Sequence, residues 1–280
     1  MTDGFIGGWR QDKESWPLLR TLPREAGILA MRGTYTEVAL DPREVITVEQ
    51  QGNQGACQGH AISSCLEWIH CLVSGKTGTQ LSRAYGYYET QRIDNLDGSD
   101  VGSTISGGIR LAHEHGIPEE HFWPYPPGYN NSRPSGWDAL MVDAGKHKIG
   151  STYRMSSYDG IRTFLGAGQG AISIGISWGS GMSRPVVERF SAGGGGHAIA
   201  LLSLSERQDS AGNPYVWMLN SWGDGWPGSG ASVPGWSEWS PSAIRQMMGH
   251  NFTVAVGVSD MPGLQPREFS LEDWQEALKP

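Results

Sequence analysis

Apolar residues recur every three or four positions between residues 57 and 73, which is the spacing of one face of an α-helix. This pattern predicts an amphipathic helix over 57–73, with Cys57 at its N-terminal end. The apolar residues of that face are Ala61, Cys65, Trp68, Ile69 and Leu72.

A second helix is predicted over residues 104–115, where Ile105, Ile109 and Ala112 share one face. Ser103 or Thr104 can cap its start, and Gly116 can end it. The Pro- and Gly-rich residues 123–136 that follow are predicted to form a loop.

After about residue 145 the pattern changes to short apolar or alternating runs bounded by Gly, Ser and Pro. These runs predict strands of an antiparallel sheet or barrel over 171–177, 197–204, 215–221 and 252–258. Helices followed by strands are typical of an α+β protein, here with two lobes.

The predicted organisation is one domain made of four stretches. They are an N-terminal extension (1–37), a helical left lobe (38–145), a β-rich right lobe (146–259) and a C-terminal tail (260–280). Within the tail, Ser270 and Asp273 resemble a capping box, and Leu271, Trp274 and Leu278 form an apolar stripe. This pattern predicts a short docking helix.

Charge and composition argue against several classes of protein. The 280 residues carry a net charge of −8 without a clustered basic stripe, which argues against nucleic acid or an anionic membrane as the main partner. No apolar run reaches the roughly 18 residues that span a bilayer, and the first residues lack the layout of a secretory signal.

The three cysteines, Cys57, Cys65 and Cys71, lie within one short stretch. An odd number so close together does not suit a disulfide framework, and the spacing lacks the two ligand pairs of a structural zinc site. We therefore expect reduced thiols, a cytoplasmic location, and no metal or cofactor. Cys65 and Cys71 are predicted to be core residues.

Cys57 differs from the other two cysteines because it lies at the N-terminus of the predicted helix. A thiol at that position can be activated by the helix dipole and by a nearby imidazolium. His197 follows four glycines and opens an apolar strand, so it can approach another lobe on a rigid support. Asn220, at the end of the next strand, can orient the imidazole. Gln51 and the Cys57 N–H are candidate donors to an oxyanion.

The order Gln51, Cys57, His197 and Asn220 resembles that of the papain-like cysteine peptidases. The segment "VEQQGNQGAC" is similar to the family's stretch from the oxyanion glutamine to the nucleophile, and "GHA" and "NSWGDGW" are similar to the blocks around its histidine and asparagine. The segment "DVGSTISGGIRLAHEHGIPEEHFWPY" resembles the left wall of the cleft in bacterial members.

The resemblance implies a helical left lobe, a β-barrel right lobe and a thiolate–imidazolium pair between them. It also implies an extended polypeptide substrate, presented by the backbone of Gly102 and Ser103, and a shielding role for Trp222. On this basis the chain is interpreted as a cysteine endopeptidase in which Cys57 attacks the peptide carbonyl.

The sequence also departs from the family. Gln54 stands where the family carries a disulfide cysteine, and Gln58 stands where an aromatic residue usually follows the nucleophile. Because Gln58 replaces this aromatic residue, the resemblance does not specify how the start of the Cys57 helix packs. Residues 1–37 are shorter than the usual helical propeptide, so the resemblance does not imply activation by its removal.

Several other motifs are rejected as functional sites. His113 and His115 are two residues apart and point to different helix faces, which does not suit zinc. Ser177 in "GISWG" is not followed by the helix that a hydrolase elbow requires. The segment "NLDGSD" lacks the first and last calcium ligands. His60, His70 and His147 are expected to be ordinary polar or packing residues.

Two alternatives to a peptidase remain open. One is an amidase or acyl transferase that uses the same Cys–His–Asn set on a non-peptide amide. The other is a structural or binding protein on a peptidase scaffold, with its cleft covered by the N-terminal residues or by a partner. In that case the termini would dock into a larger assembly.

Overall fold

The computed structural model describes residues 8–11, 40–168 and 170–259. The predicted tail helix over 270–278 and most of the N-terminal extension lie outside these residues. Seven helices are present in the described residues: α1 Pro42–Val45, α2 Cys57–Ser74, α3 Arg83–Ile93, α4 Ile105–Glu114, α5 Trp137–Ala144, α6 Tyr158–Gly166 and α7 Pro241–Met248. Two short 3₁₀ turns occupy Glu120–Phe122 and Ser180–Met182.

Helix α2 is the central helix of the fold and begins at the predicted residue, Cys57. It ends at Ser74 and is capped by Gly75, whose φ of 67° is the left-handed conformation that glycine adopts without strain. Helix α2 packs against α3 and α4 and against strands of the sheet. Its close approach to α3 depends on Gly59, because a Cβ there would lie 2.6 Å from the backbone nitrogen of Tyr87.

Helix α4 has the predicted N-cap. The Thr104 hydroxyl accepts a hydrogen bond from the Gly107 N–H, and the helix begins at Ile105. Ser103, the other candidate cap, instead precedes the helix in an extended segment that faces the space between the two lobes. Residues 123–136 contain no helix or strand, as predicted.

Seven strands form one sheet in the described residues, in the order β1-β7-β2-β4-β5-β6-β3. Their bounds are β1 Ser151–Arg154, β2 Gly170–Trp178, β3 Val186–Val187, β4 Gly195–Gln208, β5 Pro214–Leu219, β6 Trp236–Trp239 and β7 Val254–Ser259. Neighbouring strands are antiparallel except β3 and β6. The α+β class is confirmed, and the β-rich part is an open sheet in which no pairing joins β1 to β3.

The two faces of the sheet pack in two hydrophobic cores. Ala198, Ala200 and Leu202 of β4 belong to the core that contains α2, whereas Ile199 and Leu201 belong to the core that contains α6 and α7. This alternation is the period of two expected of a strand that is buried on both faces. It places β4 between the two cores, with its start beside the N-terminus of α2.

Helices α1, α3, α5, α6 and α7 were not predicted from the hydrophobic pattern. Helix α3 is buried on nearly all sides, so Tyr85, Tyr87 and Tyr88 are all core residues and no polar stripe marks it. No helix in the described part of the chain has both the length and the apolar character to cross a membrane.

Candidate active site

Cys57 is the first residue of α2, and its side chain lies at the point where the two lobes meet. Its Sγ accepts a hydrogen bond from the backbone N–H of Ala198 at 3.4 Å, across 141 positions of sequence. No side chain caps the start of α2, so the positive end of the helix dipole faces the thiol. The side chain is fully buried, with an exposed fraction of 0%.

His197, the neighbour of Ala198 on β4, is held by Asn220 at the end of β5. The His197 Nε2 lies 2.7 Å from the Asn220 Oδ1, and that oxygen also accepts the Ser221 N–H at 2.8 Å. Since an amide oxygen only accepts, this contact places a proton on Nε2 and leaves Nδ1 as the nitrogen for exchange with a thiol or substrate.

Two tryptophan rings fix the plane of the imidazole. Trp222 stacks on His197 with ring centroids 4.5 Å apart and an angle of 29° between the planes. Trp178 meets the same ring edge-on at 5.0 Å. Trp222 was predicted to shield this contact, whereas Trp178 was not predicted. Trp178 ends β2, and only its strand pairing brings it to His197.

Gln51 is held on both sides by Ser221. The Gln51 N–H donates to the Ser221 carbonyl at 2.8 Å, and the Ser221 hydroxyl donates to Gln51 Oε1 at 2.6 Å. Gln51 Nε2 donates one N–H to the Gln54 carbonyl at 2.7 Å. The amide is therefore oriented with its nitrogen toward the loop that leads to Cys57. Ser221 was missed at the sequence level, although it directly follows Asn220.

The two departures from the family sequence are accommodated by hydrogen bonds and close packing. Gln54 donates to the Pro126 carbonyl at 2.8 Å and accepts from the Tyr88 hydroxyl at 2.6 Å. Gln58 is buried against α4, where only glycine at position 108 leaves room for its amide. Gln58 also accepts a hydrogen bond from the Ser103 hydroxyl at 3.1 Å.

The backbone edge at Gly102 and Ser103, the predicted substrate-binding edge, pairs with residues near the N-terminus. The Ser103 N–H donates to the Gly8 carbonyl at 2.8 Å, and the Arg10 N–H donates to the Ser103 carbonyl at 3.0 Å. Gly102 adopts a φ of 84°, and a Cβ there would lie 1.9 Å from the Gly8 carbonyl oxygen. The segment 8–11 therefore lies in the cleft.

In this closed arrangement, burial works against the charge pair that the resemblance implies. Burial raises the pKa of Cys57 to about 11, although N–H donors from Ala198 and Gly8 oppose the shift. Burial also lowers the pKa of His197 to about 4, although its hydrogen bond to Asn220 opposes the shift. Burial therefore opposes a charge on either group in this arrangement, and the thiolate–imidazolium pair stays a prediction.

The remaining candidates lie away from this site or have structural roles. Cys65 and Cys71 are free, buried thiols in α2. Ser177 exchanges hydrogen bonds with the Gly193 backbone inside β2. Within residues 8–11, 40–168 and 170–259, no cluster of three His, Cys, Asp or Glu side chains could hold a metal ion.

Comparisons with known proteins agree with the fold. Xylellain, a cysteine protease from Xylella fastidiosa, matches with a TM-score of 0.68 and 21% identity over 91% of this chain and 96% of that one. Procathepsin B from Trypanosoma congolense matches with a TM-score of 0.62 and 16% identity over 92% and 87%. The chain therefore has the papain-like fold.

Sequence similarity is more limited. A peptidase C1-like protein of Acanthamoeba polyphaga mimivirus is 28% identical over 93 residues, which is 31% of this chain and 30% of the viral protein. The match thus spans about a third of either protein. No protein-family model matches the chain.

Proposed function

We propose that this protein is a cysteine endopeptidase that hydrolyses peptide bonds through a thioester on Cys57. The observation that carries the proposal is the contact of the Cys57 Sγ with the N–H of Ala198, the residue after His197. A thiol at a helix N-terminus and an imidazole oriented by an amide are the arrangement that nucleophilic catalysis requires. The names of the similar proteins support the same activity.

The first half of the reaction is acylation. When substrate and water enter the cleft, the thiol proton passes to His197 Nδ1 and the sulfur attacks the peptide carbonyl carbon. The negative charge that forms on the carbonyl oxygen is stabilised by the second N–H of the Gln51 amide and by the Cys57 N–H. His197 then gives its proton to the amine, the C–N bond breaks, and a thioester remains on Cys57.

The second half is deacylation. A water molecule gives a proton to His197 Nδ1 and attacks the thioester carbonyl, the C–S bond breaks, and the carboxyl product leaves. Asn220 keeps the ring in plane through Nε2, and Trp222 shields that hydrogen bond from water. The substrate is an extended polypeptide, which pairs with the backbone of Gly102 and Ser103. The three unpaired thiols support a reducing location such as the cytoplasm.

The experiment compares hydrolysis of a mixture of unstructured peptides by the wild type, Cys57→Ala and Cys65→Ala, each also in a Trp9→Ala background. Trp9 is a buried residue of the segment 8–11 that lies in the cleft, so its truncation is expected to free the cleft. New peptide termini are identified by mass spectrometry. We expect cleavage that Cys57→Ala abolishes and Cys65→Ala leaves intact. Cleavage that survives Cys57→Ala, or none in any background, contradicts the proposal. Products that carry an added amine in place of water identify an acyl transferase.

A further inference from the structure

The loop of residues 51–56 joins the two proposed oxyanion donors, because Gln51 begins the loop and Cys57 follows it. The loop contains turns and bends but no helix or strand. Its shape is therefore set by the groups that bind it rather than by a regular hydrogen-bond ladder. Two of its residues, Gln54 and Gly55, are held by groups of the left lobe.

Gln54 uses both ends of its side-chain amide. Its Oε1 accepts the Tyr88 hydroxyl at 2.6 Å, and its Nε2 donates to the Pro126 carbonyl at 2.8 Å. The residue is 2% exposed, so water competes little for these bonds. The backbone carbonyl of Gln54 accepts one N–H of the Gln51 amide at 2.7 Å. The placement of Gln54 thus sets the direction of that N–H and, since the amide is planar, of the second N–H as well.

Asp100 holds the next residue of the loop and connects it to the proposed substrate edge. Its Oδ1 accepts the Gly55 N–H at 2.8 Å and the Tyr87 hydroxyl at 2.5 Å, and hydrogen bonds to a carboxylate are stronger than those between neutral groups. The Tyr87 oxygen in turn accepts the Gly102 N–H at 3.2 Å. Loop and edge touch here, because a Cβ at Gly55 would lie 3.0 Å from the Gly102 nitrogen.

Both connections end on helix α3, where Tyr87 and Tyr88 are adjacent and fully buried. Each hydroxyl is fixed by a further bond. The Tyr87 oxygen accepts a hydrogen bond from Gln91 Nε2 at 3.0 Å, and the Tyr88 oxygen accepts the Asn130 N–H at 3.0 Å. Helix α3 is therefore the common support against which the loop and the edge are aligned.

We propose that Gln54 and Asp100 are positioning residues for the proposed peptidase reaction, on which this inference rests. They set where Gln51 and the edge at Gly102 lie relative to Cys57, so that a substrate carbonyl meets the sulfur and both oxyanion donors at once. A displacement of about 1 Å can cost about 100-fold in rate. Loss of either residue therefore lowers kcat without removing a reacting group.

Alkylation of Cys57 separates alignment of the substrate from reactivity of the thiol. A small reagent such as iodoacetamide needs access to the sulfur but neither the oxyanion donors nor the substrate edge. A variant that only misaligns the substrate therefore keeps its alkylation rate while its kcat falls. A variant that disturbs the thiol or the fold changes both rates.

The first comparison is Asp100→Ala with Asp100→Asn, each made in whichever parent, the wild type or Trp9→Ala, hydrolyses unstructured peptides faster. We expect Asp100→Ala to lower kcat about tenfold while KM changes little, with unchanged alkylation of Cys57 and faster hydrogen exchange of the Gly55 amide. Asp100→Asn keeps an oxygen acceptor and should restore most of kcat. An unchanged kcat, an equal fall in alkylation, or a Gly55 amide that stays protected overturns the role of Asp100.

The second comparison tests Gln54 through Tyr88→Phe, which removes only the hydroxyl that binds its amide. Tyr85→Phe is the matched control, because Tyr85 lies in the same helix and its hydroxyl contacts the Met141 sulfur at 3.5 Å instead. We expect Tyr88→Phe to lower kcat about fivefold at an unchanged alkylation rate, and Tyr85→Phe to match the parent. A parental kcat in Tyr88→Phe, or an equal loss in both phenylalanine variants, overturns the role of Gln54.

The same assays distinguish failure of this proposal from failure of the peptidase function. Cys65 and Cys71, which are buried in α2, should stay unlabelled and so report that each variant is folded. If neither parent hydrolyses any peptide, the peptidase function is wrong and the positioning roles fall with it. If a parent hydrolyses peptides and Asp100→Ala and Tyr88→Phe do so with the same kcat, the peptidase function stands and the proposal is wrong.

Discussion

Ser221 connects Asn220, its neighbour in the sequence, with Gln51, which lies 170 positions away from Ser221. Its backbone N–H helps to fix Asn220, and its hydroxyl fixes the Gln51 amide. Without the hydroxyl, the Gln51 amide can rotate and turn its oxygen toward the developing negative charge. The orientation of Gln51, the proposed oxyanion donor, therefore depends on a residue of the opposite lobe.

We predict that Ser221→Ala lowers kcat for peptide hydrolysis about tenfold while KM changes little, because one orienting hydrogen bond is lost and the substrate edge is untouched. Steady-state kinetics in the Trp9→Ala background measure this effect. Ser221→Thr keeps a hydroxyl and serves as the matched variant. A rise in KM at unchanged kcat would show that Ser221 acts on substrate binding instead.

His60 is a buried histidine whose lowered pKa makes the free energy of unfolding depend on pH. Its Nδ1 lies 3.0 Å from the Ala56 carbonyl oxygen, and burial together with the charge of Arg83 lowers its pKa to about 3. The unfolded chain takes up this proton near the ordinary pKa of about 6.5. Folding stability from this group is therefore complete above that value and is lost as the pH falls from 6.5 toward 3.

We predict that His60→Gln flattens the acid side of the stability profile. Glutamine is neutral at every pH and can donate to the same carbonyl, so the free energy of unfolding should fall less between pH 6.5 and pH 4. Urea denaturation at several pH values in that range gives the comparison. Parallel profiles for the wild type and His60→Gln would contradict the assignment of this acid sensitivity to His60.

At the residue scale, the sequence motifs and the family resemblance pointed to Gln51, Cys57, His197 and Asn220 as candidate site residues. The structure brings these four residues close together, and their roles stay a prediction. The sequence could not predict Trp178 or Ser221, because their contacts with the site depend on strand pairing and on the approach of the lobes. Nor could it predict that Gly8 and Trp9 enter the cleft, since short extended segments carry no periodic pattern.

At the scale of elements, helices α2 and α3 are joined by a buried ion pair. Arg83 Nη2 donates to Glu67 Oε2 at 2.8 Å, and both side chains are at most 2% exposed. The same groups also bind the backbone of Leu81 at 2.7 Å on each side. This network fixes the turn that leads into α3.

We predict that Arg83→Met destabilises the fold by about 3–5 kcal/mol, because it leaves the Glu67 carboxylate buried without its partner. The double variant Glu67→Leu/Arg83→Met removes both charges and should be more stable than Arg83→Met alone. Recovery will be partial, since Leu81 loses its partners. Chemical denaturation measures all three proteins. A double variant less stable than Arg83→Met would contradict this account.

The elements themselves differ in how far they could be predicted. Helices α2 and α4 and strands β2, β4, β5 and β7 carry periodic apolar positions, and each was predicted close to its observed bounds. Helix α3 lacks that signal because it is buried on nearly all sides. Strands β1, β3 and β6 have at most four residues, which is too short for an alternating pattern to identify them.

At the scale of the whole molecule, the two cores bring α2 and β4 together, and the segment Gly8–Gln11 closes the cleft between the lobes. Closure accounts for the raised pKa of the thiol and the lowered pKa of the imidazole, because a charge pair needs either solvent or substrate around it to offset desolvation. We therefore expect two states of one site: a closed state in which charge on the thiol and imidazole is disfavoured, and an open state with a thiolate and an imidazolium.

The most direct measurement is the pH dependence of iodoacetamide alkylation at Cys57 in Trp9→Ala, compared with Trp9→Ala/His197→Ala. We expect the alkylation rate in Trp9→Ala to stay on a plateau down to well below pH 7, because His197 stabilises the thiolate. Removal of His197 should move the midpoint up toward the value of about 8.5 for a free thiol. A midpoint above pH 8 in both proteins would contradict the account, because the histidine would then not activate the thiol.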